Sequence, residues 1–160
     1  MGTDGSHGHV LTFAVEPYEA VIAEMVPFYA DHWREVGPLD DGLPLELDHD
    51  RYFQMARLGI IRVATARDTR GALVGYNMAF VGPHLRHKNN LTASVDLVYL
   101  APEWRTGRTG YEFLTFGVEM LRQIGVTKMF FGCPVAHDFS VLLRRLGFRE
   151  SERIFTKVLA

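Results

Sequence analysis

The chain has 160 residues, 48% of them hydrophobic, and a formal net charge of −2 from 17 basic and 19 acidic side chains. This length supports one domain with its own core and is too short to expect two. Because both charge signs are mixed along the chain, the composition excludes a general electrostatic surface for nucleic acid or for an anionic membrane.

Cysteine content and apolar runs bear on the compartment. Cys133 is the only cysteine, which excludes an internal disulfide and is typical of a reducing compartment. No apolar run reaches the roughly eighteen residues of a membrane span, and the N-terminus lacks the pattern of a signal peptide. We therefore expect a cytoplasmic protein that does not enter a membrane.

Strand and helix patterns fill residues 10–160, after a small polar segment, 1–9, that we expect to be a disordered tail or a cloning remnant. Alternating apolar residues predict strands, and apolar residues every three to four positions predict helices. Pro27 should kink or split the first helix. The predicted elements are a strand at Val10–Val15, a helix from Tyr18 to Val36, a loop at Pro38–Asp48, a helix from Asp48 to Leu58, strands at Ile60–Arg67, Ala72–Val81 and Thr92–Leu100, a long helix that ends at Gly125, a strand at Lys128–Cys133, a helix at Phe139–Leu146 and a last strand at Phe148–Leu159.

A loop rich in glycine and arginine, Arg105 to Gly110, joins a predicted strand to the long helix. Unpaired N–H groups and the positive end of the helix dipole favour an anion at such a helix start. Glycines let a phosphate come close to the backbone. The pattern predicts a pyrophosphate cradle, with a simple strand-to-helix turn as the alternative.

This loop resembles the R/Q-x-x-G-x-G/A loop of the GCN5-related N-acetyltransferases (GNAT). Arg105 and Gly110 match its first and last positions, Arg108 replaces the middle glycine, and Gly107 stands one residue earlier. The order of further segments is also similar: Leu100-Ala101-Pro102, then the strand at Lys128–Cys133, then Leu146-Gly147-Phe148. Pro83-His84-Leu85 resembles GNAT proteins encoded in phage genomes and prophages.

The resemblance implies a single-domain α/β fold with a mixed, mostly antiparallel sheet of six to seven strands and about four helices. It also implies acetyl-coenzyme A as cosubstrate and an amine as acceptor, and it leaves a homodimer open. The residues implied to hold the cosubstrate are Val98, Leu100, Arg105, Thr106, Gly107, Arg108, Thr109 and Gly110.

Acetyl transfer to an amine requires a base for the amine proton and a donor for the oxyanion. Strand alternation predicts that Asp96, Val98 and Leu100 share one face. The resemblance implies that Asp96 is the base and that the Leu100 N–H is the oxyanion donor; a structural carboxylate is the alternative for Asp96. His84, in a polar loop, is a second candidate base, with simple solvation as its alternative.

Two departures keep other functions open. Leu143 stands where many family members carry the tyrosine that protonates the leaving thiolate, and Arg108 replaces a glycine. An inactive acyl-coenzyme A-binding module, or a phage structural or interaction module, is therefore the alternative to an enzyme. We expect no metal, because the histidines lack ligand spacing with cysteine or glutamate, and no covalent intermediate on Cys133.

Overall fold

The computed structural model describes residues 10–37 and 45–159, so the predicted tail at 1–9 and residues 38–44 of the predicted loop lie outside the described part. Short 3-10 turns occur at Pro102–Trp104 and Val135–His137. The helices and strands are β1 (Thr12–Glu16), α1 (Tyr18–Val36), α2 (His49–Arg57), β2 (Ile61–Arg67), β3 (Leu73–His84), β4 (His87–Leu100), α3 (Thr109–Gln123), β5 (Val126–Phe131) and α4 (Ser140–Arg145).

The five strands form one sheet in the order β1-β2-β3-β4-β5. Strands β1 to β4 pair antiparallel with one another, and short turns join β2 to β3 and β3 to β4. β5 runs parallel to β4, and helix α3 makes the crossover between them. The described chain therefore has the predicted mixed α/β architecture, with four helices.

Each face of the sheet is covered by a different group of helices. On one face, α1 and α2 pack over a cluster that includes Val63, Tyr76 and Tyr99. On the other face, α3 packs over a cluster that includes Val81 and Leu100. This arrangement makes the end of β4 a place where both helical layers meet the sheet.

Helix α1 continues through Pro27 as one helix, so the split that the sequence allowed at this proline is not formed. Its tyrosine, valine and methionine side chains at Tyr18, Val21 and Met25 are buried in the sheet cluster. Arg67 on β2 also holds the helix, because its guanidinium bonds Glu24 of α1 at 2.8 Å. Packing and this ion pair keep the proline turn helical.

The hairpin between β3 and β4 is longer than predicted. The predicted strands ended at Val81 and resumed at Thr92, with His84 in a polar loop between them, but in the structure the strands continue until His84 pairs with His87. The two imidazole rings lie 4.9 Å apart at this tip. Cross-strand pairing gives their backbone groups partners and so overrides the polar composition.

The predicted last strand at Phe148–Leu159 is not formed. Residues 149–159 are exposed and carry no regular structure. A strand needs a partner for its N–H and C=O groups, and neither edge of the sheet is paired with this segment. The sheet of the described chain therefore has five strands, not six to seven.

Candidate active site

The pairing between β4 and β5 ends halfway along β4. The parallel register runs from Leu91 beside Val126 to Val95 beside Phe131. Beyond that point β4 continues to Leu100 with β3 as its partner, while the chain after β5 passes through Gly132 and Pro134 and leaves the sheet. The two strands diverge, and a cleft opens between them.

The backbone at the end of β4 is directed into this cleft. The N–H of Ala101 donates to the Val74 oxygen of β3 at 2.8 Å. Peptide groups of successive residues in a strand point to alternate sides, so the N–H groups of Leu100 and Val98 point away from β3. They face the side from which β5 has separated. The Leu100 oxygen accepts a hydrogen bond from Arg105 Nε at 2.6 Å.

Asp96 lies at a bulge in β4, where the pairing of this strand with β3 shifts by one residue. Ala79 faces Val95 and the next residue, Met78, faces Leu97, so Asp96 is an extra residue on its strand. Because of this bulge, Val95 and Val98 both pack on the α3 side, while Leu97 packs on the α1 side. The bulge therefore interrupts the alternation of side chains between Asp96 and Val98. Val98 and Leu100 lie on the same face of β4, as predicted, but simple alternation no longer places Asp96 on that face.

The cleft widens into a cavity of about 830 Å³. One wall comes from α1, α2 and the segment before α2; the other comes from the loop before α3, from α3 and from α4. The end of β4 is the floor. Prominent lining residues are Tyr29, Trp33, Tyr52, Asp96, Val98, Leu100, Gly107, Arg108, Gly110, Tyr111, Phe131 and Arg145.

The loop predicted to hold phosphate lies against the start of α3. Gly107 has a φ of +57° and nothing within 4 Å of where a Cβ would stand, so a glycine is favoured by its conformation and leaves open space. The first helical hydrogen bond runs from Glu112 N–H to Arg108 oxygen. The N–H groups of Gly110 and Tyr111 therefore precede the helical pattern and have no carbonyl within the helix. The N–H of Thr109 bonds the Thr106 oxygen within the loop.

The two arginines of this loop have different surroundings. Arg105 pairs with Glu35 of α1 at 2.7 Å, and its guanidinium also lies 5.4 Å from the centre of the Tyr99 ring. Arg108 is highly exposed and makes a long contact of 3.6 Å with Glu112. The Arg105 side chain is therefore held by the protein, and the Arg108 side chain is accessible from the cavity.

Asp96 is reached by solvent but lies between protein walls. Desolvation raises the pKa of its carboxyl above the usual range. Burial also raises the pKa of the Tyr29 and Tyr52 hydroxyls, and the electrostatic effect of Asp96 adds to both shifts. Asp96 is therefore close enough to act on two tyrosines of the α1 and α2 wall.

That wall contains residues that the sequence did not single out for function. Tyr29, His32 and Trp33 lie in the first predicted helix and Tyr52 in the second, and none of them was among the predicted site residues. His32 is buried and its Nδ1 lies 2.9 Å from the Tyr76 hydroxyl. Burial lowers the pKa of His32, so the neutral imidazole is favoured. The sequence did contain a signal for this wall. The first helix ends with aromatic residues that also carry polar groups, and a loop rich in leucine follows it.

Other predicted residues lie elsewhere. His84 is at the tip of the β3–β4 hairpin and does not line the cavity. Its partner His87 is nine residue steps along β4 from Asp96, a strand length of about 30 Å. Leu143 is buried in α4. Cys133 is half-buried, with its sulfur 3.4 Å from an Asp138 oxygen, and burial raises the pKa of its thiol.

No family model and no curated protein matches this sequence. Solved structures match it along almost its full length. An acetyltransferase of Trypanosoma brucei is 20% identical, with 94% of this chain and 100% of that chain covered and a TM-score of 0.65. A transcriptional regulator of Bacillus halodurans is 18% identical over 94% and 100% of the two chains, with a TM-score of 0.73. A predicted acetyltransferase of Clostridium acetobutylicum, solved with acetyl-CoA, is 12% identical over 93% and 96%, with a TM-score of 0.65.

The chain has a GNAT-like fold. The predicted fold type is thus confirmed, and the similarity extends over the whole described domain. The GNAT-like fold places the cleft between β4 and β5 next to the start of α3. In the described residues no helix is long and apolar enough to cross a membrane, and no group of three or more His, Cys, Asp or Glu side chains could hold a metal ion.

Proposed function

We propose that the protein transfers an acetyl group from acetyl-CoA to a primary amine while both substrates are bound. The observation that carries the proposal is the cleft at the end of β4, where an unpaired backbone N–H, a partly desolvated carboxylate and a helix start line one cavity. The solved acetyltransferases with the same fold lend support.

The residues of the cavity fit acetyl-CoA. Its pyrophosphate needs N–H donors and positive charge, which the first turn of α3 and the exposed Arg108 offer. The open space at Gly107 allows close approach to the loop backbone. Val98 and Leu100 present N–H groups without a strand partner to the amide-containing arm. Acetyl-CoA would supply a thioester, which is an activated acyl donor.

Asp96 is proposed to accept the proton of the amine. A carboxyl whose pKa is raised is a stronger base than an ordinary one once it is ionised. The neutral amine nitrogen then forms a bond to the thioester carbon, and the C–S bond breaks. The nitrogen gives up its second proton in this step, and the departing thiolate takes one up, directly or through water, so that the products are the amide and coenzyme A thiol. The Leu100 N–H is proposed to stabilise the oxyanion that forms in between, because it points into the cleft without a strand partner.

His84 was a rival base, but its position at the hairpin tip favours Asp96. The second candidate function is acyl-CoA binding without transfer. Leu143, buried where many GNAT enzymes have a tyrosine, favours it, because leucine cannot protonate a thiolate. Tyr99 is not an obvious replacement, since burial raises the pKa of its hydroxyl and so makes it a weaker acid.

Two variants test binding and transfer separately. At Gly110 a Cβ would meet the Leu142 side chain at 3.6 Å, an ordinary contact, so Gly110→Val should fold and lose acetyl-CoA affinity in calorimetry. Asp96→Asn should bind acetyl-CoA normally and lose about a hundred- to ten-thousandfold in turnover. Unchanged affinity in the first variant contradicts the cradle. If the wild-type protein binds acetyl-CoA but acetylates none of a broad panel of amines, the binding module is the correct function.

A further inference from the structure

The wall of the cavity formed by α1 and α2 is aromatic. Tyr29 and Trp33 come from α1, Tyr52 comes from α2, and Leu45 and Leu47 from the segment before α2 complete it. Trp33 is 40% exposed, so its ring is available to a molecule in the cavity. A face of this kind binds an apolar or aromatic body and also attracts a cation through the π-systems of the rings.

Charge is divided between the two walls. The cationic side chains Arg108 and Arg145 line the α3 and α4 side. Arg105 stands between the walls, but Glu35 pairs with it at 2.7 Å. On the aromatic side the charge left without a counterion is Asp96: no salt bridge or side-chain hydrogen bond joins it to residues 10–37 or 45–159.

Asp96 lies close to the aromatic wall rather than on an isolated surface. Its charge acts on the Tyr29 and Tyr52 hydroxyls, and the bulge in β4 turns this one residue out of the ladder. An unpaired carboxylate next to aromatic rings, in a partly desolvated cavity, is an incomplete ion pair. A ligand that carries one positive charge would complete it.

We propose that the amine acceptor is a small primary amine with an apolar or aromatic body and no acidic group. The ammonium would pair with Asp96, and the body would lie against Tyr29, Trp33 and Tyr52. This inference rests on the proposed function and narrows it to one class of acceptor. After Asp96 takes the proton, the neutral nitrogen is already beside the floor of the cleft.

The same wall disfavours other amine classes. Phosphate- or carboxylate-bearing amines would need a cation on the aromatic side of the cavity. Arg105, which stands between the walls, is paired with Glu35, and Arg108 and Arg145 line the opposite side. A negative group near Asp96 would also meet like-charge repulsion. Sugar amines would place several hydroxyl groups against aromatic and leucine side chains, where those groups lose water without gaining partners.

Binding of matched probes tests the charge and the body of the acceptor. We expect 2-phenylethylamine to bind the acetyl-CoA-free protein at least about tenfold more tightly than 2-phenylethanol, which lacks the charge, and than phenylalanine, which adds a carboxylate. Ethylamine, which lacks the ring, should also bind more weakly. Calorimetry gives the affinities, and the quenching of Trp33 fluorescence, absent in Trp33→Phe, locates the probe. Equal affinity for phenylalanine or for the alcohol would overturn the proposal.

Variants of the wall locate the site further. Trp33→Ala should weaken 2-phenylethylamine binding several-fold, and Asp96→Asn should remove the preference for the amine over the alcohol. Glu119→Gln, which changes an exposed carboxylate of α3 outside the cavity, is the matched control and should change neither value. Binding that survives both wall variants would place the probe elsewhere and refute the assignment.

The result separates this inference from the proposed function. If acetyl-CoA is consumed with acidic or sugar amines and 2-phenylethylamine does not bind, the acceptor class is wrong and the transfer reaction stands. If 2-phenylethylamine binds as expected but acetyl-CoA does not bind at all, the proposed amine-binding site is correct and the proposed transfer reaction is wrong.

Discussion

The two halves of β4 differ in how their backbone is used. From Leu91 to Val95 the strand lies between β3 and β5 and is paired with both of them. From Asp96 to Leu100 it has β3 alone. The first half is a structural part of the sheet, and the second half is the floor of a cavity.

This difference shows where the sheet can accept chemistry. A backbone group without a partner is costly when it is buried, so it must face water or a ligand. Divergence of β5 leaves such groups at Val98 and Leu100 without weakening the antiparallel ladder on the β3 side. The predictions below change the open half or the contacts that hold it, from the largest expected effect to the smallest.

Leu100→Pro should remove the proposed oxyanion donor and lower turnover about a hundred- to a thousandfold. The change removes the N–H that points away from β3, so no ladder hydrogen bond is lost. Leu100→Ala shortens the side chain in the same way but keeps the N–H, and its turnover should fall much less. Steady-state turnover of both folded proteins, checked by circular dichroism, makes the comparison.

A proline one residue earlier is the structural counterpart. Tyr99 faces Tyr76, and its N–H points toward β3, so Tyr99→Pro should break the ladder and unfold the protein. If a folded Leu100→Pro retains the turnover of Leu100→Ala, the open half of β4 does not supply the oxyanion donor. If both prolines unfold the chain, the Leu100 N–H has a structural partner and the contrast between Leu100 and Tyr99 is wrong.

Arg105→Gln should destabilise the protein by about 1–3 kcal/mol, because it leaves Glu35 and the Leu100 oxygen without their charged donor. Arg108→Gln should change stability by less than about 0.5 kcal/mol, since that side chain is exposed, but it should weaken acetyl-CoA binding. Denaturant unfolding and calorimetry measure the two effects. Arg105→Gln that keeps full stability while losing affinity would reverse these roles.

His32 should make the stability of the protein depend on pH below about 6.5, which is the ordinary pKa of histidine. Burial is the main cause that lowers its pKa, nearby Arg105 and His137 lower it further, and Glu35 opposes them. The unfolded chain then binds the proton first, so stability is present above the ordinary pKa and is lost as pH falls through it. Thermal unfolding between pH 7.5 and 5.5 should show this slope. His32→Gln should flatten it, whereas His49→Gln, at an exposed residue, should leave it unchanged.

Asp96→Asn should slightly raise the free energy of unfolding near neutral pH, by less than about 1 kcal/mol because solvent reaches the carboxylate, and a small rise in melting temperature would report it. A raised pKa in the folded state means that the folded protein binds the proton more readily than the unfolded chain. Stability therefore falls as pH rises from the ordinary aspartate pKa through the raised pKa of the folded state, and the ionised carboxylate lowers the free energy of unfolding at neutral pH. A variant that is less stable than the wild type would indicate that Asp96 holds the structure together.

Much of the fold could be read from periodicity. Helix α1 spans the predicted Tyr18 to Val36. The second helix was predicted to begin at Asp48, and Asp48 caps it, since its Oδ1 accepts the Arg51 N–H at 3.0 Å. These elements depend on local patterns, which the sequence contains in full. The loop before α3 was also found, because glycines and a helix start stand next to each other.

What the sequence could not predict depends on partners far along the chain. The bulge at Asp96 arises from its register with Met78 and Ala79, which no local pattern encodes. Arg105 finds Glu35, 70 residues earlier, so its side chain serves the fold although its position in the loop suggested phosphate. The segment 149–159 has a strand-like composition but no strand beside it.

The open half of β4 also makes the protein its own reporter for ligand binding. The amide of Tyr99 is protected from solvent exchange by β3, while the neighbouring amide of Leu100 is not held by that strand. Hydrogen–deuterium exchange should therefore alternate along a few residues of one strand in the free protein. A molecule that completes the missing hydrogen bonds in the cleft would slow the fast amides alone, and the exchange pattern would reveal its orientation residue by residue.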